Sequence, residues 1–245
     1  MSPAPPNQNA RTMTVTVANP LAEQVYHRIK DDIFSFRLLP GDNFTETEMA
    51  QRQGVSRTPL RDALFRLQRE GYLEVGFRRG WKVCPIDFDR LDNLYDLRIV
   101  LEMAALDKLC SQQQATAGLE QLNAIWLVEP EAREADAVRV AELDEAFHTN
   151  LVAAAGNQEM TRVHTEVTEK IRIVRRLDFL KKKRIEATYE EHAKILQLIA
   201  KRKSTEAQIL LRAHITQSKL EVRKITIWML AEARQWQEPE AAAAR

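Results

Sequence analysis

What the 245-residue chain lacks already narrows its class. It has two cysteines, Cys84 and Cys110, too few for a disulfide framework and without the close pairing of a zinc ribbon. Both are expected to be reduced and to act as small apolar residues. Its seven glycines are scattered, which excludes a collagen-like or glycine-rich chain. No apolar run approaches the roughly 18 to 20 residues of a membrane span. The opening MSPAPPNQNARTMTV has no apolar stretch of the kind a secretory signal needs. A cytoplasmic protein with no membrane partner is therefore expected. Neither sign of charge is in excess: 36 basic against 35 acidic residues leave +1. Any nucleic-acid surface must come from local clustering. What is present is ordinary for a globular chain, 44% hydrophobic and 29% charged, enough for one large domain or two smaller ones.

Residues 1–20 are rich in Pro, Asn and Thr and are expected to form a disordered arm. From Leu21 the spacing of Leu21, Val25, Ile29 and Ile33 predicts a helix, broken by Leu39-Pro40-Gly41. Thr45-Glu46-Thr47-Glu48 is a capping box that opens a short helix ending near Gly54. Ser56 is the N-cap candidate of a third helix, through Leu60, Leu64 and Leu67 to Gly71. Two strands, Tyr72 to Val75 and Trp81 to Cys84, flank the turn Gly76-Phe77-Arg78-Arg79-Gly80. Three helices and a β-hairpin over residues 21–84 describe a winged helix-turn-helix. Beyond Pro85, with Asp87 as a cap, the pattern is mainly α: a bundle of six helices near 87–112, 116–129, 136–155, 157–180, 184–202 and 204–236, the last capped by Ser204. This 87–236 domain is followed by an Ala-rich tail, 237–245, expected to be disordered.

The third helix has the chemistry of a DNA reader. Donors are needed in the first turns, where side chains reach base edges in the major groove. Arg57 and Arg61 sit one turn apart there, beside Ser56 and Thr58, and arginine pairs bidentately with guanine. Between Arg57 and Lys82, seven basic residues face three acidic ones, a local excess of four. Arg78-Arg79-Gly80 adds two cations at a hairpin tip suited to a narrow minor groove. An isolated basic helix is more often a solvated face; it is the order helix, turn, Arg-rich helix, basic wing that favours DNA.

The stretches Leu39-Pro40-Gly41, Thr47-Glu48-Met49-Ala50, Gly54-Val55-Ser56-Arg57-Thr58-Pro59-Leu60-Arg61-Asp62-Ala63-Leu64, Glu70-Gly71-Tyr72-Leu73 and Arg79-Gly80-Trp81-Lys82-Val83 resemble the DNA-binding domain of GntR-family regulators. The resemblance implies DNA contacts from Ser56, Arg57, Thr58, Pro59 and Arg61, with Arg79 and Gly80 in the wing. Thr47 is a further DNA-contact candidate, early in the second helix where some relatives carry an arginine.

In the helical half, Asp144 and His148 are four apart and share a helix face. His192 lies two helices later, within Tyr189-Glu190-Glu191-His192, and His214 lies in the last helix. Three imidazoles and a carboxylate converging in a bundle suit a divalent ion, zinc first and nickel or manganese next. Taken singly each histidine is more often an ordinary residue, and His27 and His164 are read so. The quartet, with its D-x-x-F-H segment, also resembles the FCD ligand-binding domain of the FadR subgroup, and six helices suggest its VanR-like branch. That resemblance implies a small carboxylate effector near the metal with help from arginine. Arg98 is the candidate clamp, the alternative being an i,i+4 salt bridge with Glu102 on a solvated face. Arg172 and Arg175 are further effector-binding candidates; Arg176 and Lys181-Lys182-Lys183-Arg184 read as a solvated turn, and Trp126 and Trp228 as core or dimer surface.

Together these features suggest a homodimeric regulator, by family habit a repressor, on a palindromic operator in double-stranded DNA. The alternatives are a regulator for which the ion itself is the signal, an ion that only braces the bundle, and a metalloenzyme that activates water at the Asp/His site. Against the enzyme, only Glu145 and Glu191 offer themselves as general bases, and the winged helix would be idle.

Overall fold

The computed structural model describes residues 20–76, 80–112, 116–178 and 182–224. They divide into two compact units, one comprising the chain up to Asp31 with Gly41–Cys84, the other Asp32–Pro40 with the chain from Pro85 onward.

In the first unit, helix α1 (Pro20–Phe34) buries Val25, Tyr26 and Ile29. Helix α2 (Glu46–Gln53) starts at the capping box: the Thr45 N–H donates to Glu48 Oε2 at 2.7 Å and the Glu48 N–H to Thr45 Oγ1 at 3.2 Å. It ends at Gly54, whose φ of +65° is a left-handed conformation that costs glycine little. Helix α3 (Arg57–Glu70) buries Leu60, Ala63, Leu64 and Leu67 on one stripe. The hairpin forms from β2 (Leu73–Val75) and β3 (Trp81–Val83), with Leu73 opposite Val83 and Val75 opposite Trp81. Trp81 and Val83 face inward and Lys82 outward, the two-residue alternation of a strand. A further strand, β1 (Asn43–Phe44), pairs antiparallel with β3 and makes the order β1-β3-β2. Two residues are too short to show alternation, so the pattern missed it. The expected wing tip, residues 77–79, lies outside the described residues.

The second unit holds α4 (Phe88–Ser111), α5 (Ala117–Trp126), α6 (Ala137–Ala154), α7 (Gln158–Asp178), α8 (Lys182–Ala200) and α9 (Ser204–Val222). Asp87 caps α4 by accepting from the Arg90 N–H at 2.9 Å. Helix α5 stops at Trp126, before the expected 129, and Pro130–Ala132 make a 3-10 turn. Ser204, expected as the α9 cap, is already helical and instead donates to Asp107 at 2.9 Å; Lys203 holds the cap position. The stretch expected to carry α9 to 236 lies outside the described residues beyond Lys224, as do Trp228 and the tail. Trp126 is fully buried core, edge-on to Phe147 at 5.7 Å and tilted on Tyr189 at 4.8 Å. Each such side chain contributes about 1.5–3 kcal/mol when removed from water.

Residues 32–40, read from sequence as part of the winged helix, group instead with the helical unit. The reason is apolar: Phe36 is 3% exposed within the core of that unit, and Leu39 packs against it. Among the described residues no helix is long and apolar enough to cross a membrane.

A candidate metal centre and a candidate DNA-reading face

Helix α3 of the first unit exposes Arg57, Thr58 and Arg61 together with the N-cap residue Ser56. Both arginines are steadied by α2. Arg57 donates to Thr47 Oγ1 at 2.9 Å, and Arg61 Nε to both oxygens of Glu46 at 3.0 Å. The Arg61 side chain is 60% exposed, so its pair with Glu46 is a solvated one that DNA can replace at small cost. Ser56 is exposed and makes no side-chain capping bond, so its hydroxyl does not satisfy the first N–H groups of α3, donors of the kind a phosphate can take. Pro59, expected among the contacts, is buried beneath this face; at the third position of α3 it sits where no intrahelical N–H bond is lost. The Gly80 carbonyl accepts from the Gly76 N–H at 2.8 Å and closes the wing, while Arg79 lies outside the described residues.

Not every cation in the local excess is free. Arg66 stacks 3.7 Å over the Tyr26 ring and donates to Glu23 and Glu70, while Lys82 pairs with Glu74 at 3.1 Å. Arg66 is thereby committed to holding α3 on α1.

In the second unit the structure brings the four sequence-singled ligands together. Asp144 and His148 on α6, His192 on α8 and His214 on α9 are buried, and one donor atom of each lies within 4.8 Å of the others. The atoms that converge are Asp144 Oδ1 and the three Nε2 nitrogens. His148 stands 3.2 Å and His192 3.4 Å from His214, and Asp144 Oδ1 is 3.7, 3.4 and 3.9 Å from His148, His192 and His214. Ligands about 2.0–2.1 Å from one divalent ion would stand about 3.3 Å apart in a tetrahedron. Asp144 Oδ1 is buried and accepts no hydrogen bond, a lone-pair donor left without a proton to receive. The residues therefore fit a divalent ion.

Each ligand is held from behind. Glu102, 0% exposed on α4, accepts from His148 Nδ1 at 2.6 Å through Oε2, and from Arg98 Nε at 2.6 Å and His164 Nε2 at 3.0 Å through Oε1. His214 Nδ1 donates to Glu191, which Arg184 also contacts at 3.2 Å. Arg175 donates to the outer oxygen of Asp144. The His192 ring lies flat on Phe147 at 3.7 Å and edge-on to Trp126 at 4.3 Å, so packing rather than a hydrogen bond sets its orientation. Such partners behind the ligands fix ring orientation and tautomer.

The electrostatics favour an ion. Burial, then the charge of His214, pushes the His192 pKa well down, and burial pushes that of His214 to about 4, so both rings keep their lone pairs. Burial works to raise the Asp144 pKa, yet the Arg175 charge beside it holds it well below the carboxylate range. Glu102 is likewise kept ionised, against burial, by His148, Arg98 and His164.

Several expectations need correction. Arg98 does pair with Glu102, but both are buried, so the solvated face is wrong. Its Nη1 and Nη2 are buried without an acceptor. Arg172 grips Glu145 with Nε and Nη2, and with Arg175 it lines a cavity of about 430 Å3 between α6 and α7 that also exposes Thr149, Thr165 and Thr168. Arg184, read as part of a solvated turn, lies within α8 with its side chain 11% exposed, because Glu191 draws it inward. Sequence reasoning missed Glu102 as a hub and took His164 as ordinary. The signal was there: His164, Thr168, Ile171 and Arg175 form one buried stripe of α7 at helical spacing.

Comparison with known proteins agrees with both halves. The family described as bacterial regulatory proteins, gntR family, matches residues 21–83, and the FCD domain matches residues 93–217. The Nta operon transcriptional regulator of Aminobacter aminovorans is 34% identical over 181 residues, 74% of this chain and 84% of that protein. The HTH-type transcriptional repressor RspR of Escherichia coli K12 is 25% identical over 84% of this chain and 90% of its own length. A solved transcriptional regulator structure from Rhodococcus sp. RHA1 superposes with a TM-score of 0.65 at 19% identity, covering 85% of this chain and all of that one, a likeness of fold.

Proposed function

Because the chain belongs to the GntR family of bacterial regulatory proteins and carries an FCD domain, we propose that it is a homodimeric repressor released from a palindromic operator when a small organic acid binds beside a divalent ion. Its relatives are transcriptional regulators rather than enzymes, so DNA binding is the output. The observation that carries the sensing half is the convergence of Asp144 Oδ1 and three histidine Nε2 atoms in the bundle. These four residues would hold zinc, or else nickel or manganese, and the ion would supply a Lewis-acidic seat for a carboxylate. Arg98, Arg172 and Arg175 bring guanidinium groups to the same unit, each paired with a carboxylate. Six helices in the FCD unit favour the VanR-like branch of the FadR subgroup, and a cytoplasmic site of action follows from the DNA target.

A two-fold dimer would place two α3 helices on two half-sites. The acid would then change operator affinity by its differential affinity for the two arrangements of the dimer. The test is fluorescence anisotropy on promoter fragments from beside the chain's own coding region, with the metal-loaded protein and a panel of small carboxylates. Salt-dependent binding that one acid weakens is expected. Binding that no acid alters but a chelator abolishes would favour the ion as signal, a reading supported by the near-complete burial of all four ligands.

A further inference from the structure

Around the four converging donors, the strongly buried charges are Arg98, Glu102, Asp144 and Arg175, respectively 1%, 0%, 2% and 6% exposed. Two are positive and two negative, and the outer pairs Arg172–Glu145 and Arg184–Glu191 also cancel. Ligation leaves the imidazoles neutral. The protein alone is therefore balanced, and a divalent ion brings two uncompensated positive charges into a low-dielectric interior. Each such charge is costly to bury if nothing offsets it.

Hydrogen-bond supply points the same way. Glu102 has both oxygens engaged, by Arg98, His164 and His148, and the outer oxygen of Asp144 is taken by Arg175. On these two arginines three guanidinium nitrogens are buried without an acceptor: Nη1 and Nη2 of Arg98 and Nη1 of Arg175. The Arg98 guanidinium lies 5.8 Å from the centroid of the Tyr95 ring. Nη1 and Nη2 of Arg98 form the edge of the fork that a carboxylate meets bidentately. A monocarboxylate on the ion would leave one charge unbalanced and this fork empty.

We propose that the effector is a dianion, a small dicarboxylate whose one carboxylate sits at the ion and whose other takes the free edge of Arg98. The proposal rests on the reading of the helical unit as a metal-dependent acid sensor and narrows its ligand class. Arg98 is then the residue that discriminates diacids from monoacids, and Arg175 the one that keeps Asp144 turned toward the ion.

The test is calorimetry on the full-length, zinc-loaded protein with chain-matched probes: malonate against propionate, succinate against butyrate, glutarate against valerate. At least one diacid should bind tenfold or more tighter than its monoacid, and that ratio should fall toward one after zinc is removed by chelator. Arg98→Gln should also collapse the ratio. Should that variant fail to fold, Arg98→Lys, which keeps the charge but loses the fork, should lower it. A monoacid that binds as well as its diacid, or a diacid preference unchanged by zinc removal, overturns the proposal while leaving an acid sensor standing. Binding of none of the six acids overturns the sensor reading and this proposal with it.

Discussion

Arg61 and Arg175 are each held by one carboxylate, Glu46 and Asp144, yet the two pairs are opposites. The Arg61 side chain is 60% exposed, that of Arg175 7%. In water the ion pair is weak and exchangeable, which suits the proposed role of a side chain that would leave its partner for a guanine. In the bundle the charges are costly to separate, so the pair acts as a fixture that orients a ligand atom. On the proposed function, the same residue types would serve reading in one unit and preorganisation in the other, with burial deciding which.

The sharpest way to break that contrast is Asp144→Ala, which strands the buried Arg175 charge. The loss in unfolding free energy should be about 3–5 kcal/mol, measured by urea denaturation of the metal-free protein. A loss no larger than that of Glu46→Ala would erase the distinction between the units.

Acid should act on the helical unit next most strongly. His214 has its folded pKa lowered from 6.5 to about 4, so the unfolded chain takes up the proton first. Stability from this group is complete above about pH 6.5, falls as the pH drops toward about 4, and changes no further below; the loss is on the order of 3 kcal/mol. Melting of the metal-free protein across that range checks it. Bound metal should be released in the same window, because proton and ion compete for the ring nitrogens.

Glu102→Gln keeps the shape of the hub but removes its charge. Metal affinity should fall about 10- to 100-fold, as for other partners behind metal ligands, read by competition with a chromophoric chelator. Arg61→Ala or Arg57→Ala should cost operator binding about 1–3 kcal/mol, with stability unchanged within about 0.5 kcal/mol. Unchanged affinity in both variants would remove α3 as the reading helix. The smallest effect belongs to Glu46→Ala, which should alter folding by less than about 1 kcal/mol.

Legibility in the sequence followed the same division. Local signals were strong where the chain makes local structure: the capping box at Thr45 and Glu48 forms, and the two strands expected on either side of the glycine-bounded turn pair with each other. The four donors could be named because Asp144 and His148 share a face and the other two lie in an FCD-like pattern. What local pattern could not show was long-range pairing. Strand β1 exists only through β3, and residues 32–40 join the helical core because Phe36 is buried there. Glu102, at an ordinary i,i+4 spacing from Arg98, gave no sign that His148 and His164, 46 and 62 residues away, both bond to it. Nor does composition say which arginines are sheltered: Arg98, Arg175 and Arg184 are drawn inward by carboxylates far off in sequence or by the next helical turn.

On the proposed function, the buried charges of the helical unit are organised around one divalent ion. Elemental analysis tests it most directly, on the full chain dialysed in turn against zinc, nickel and manganese and then freed of loose ions, beside an Asp144→Ala, His192→Ala double variant. One tightly held ion per chain is expected in the first protein and none in the second. No retained ion in the unaltered chain, or the same ion content in both proteins, would contradict the claim.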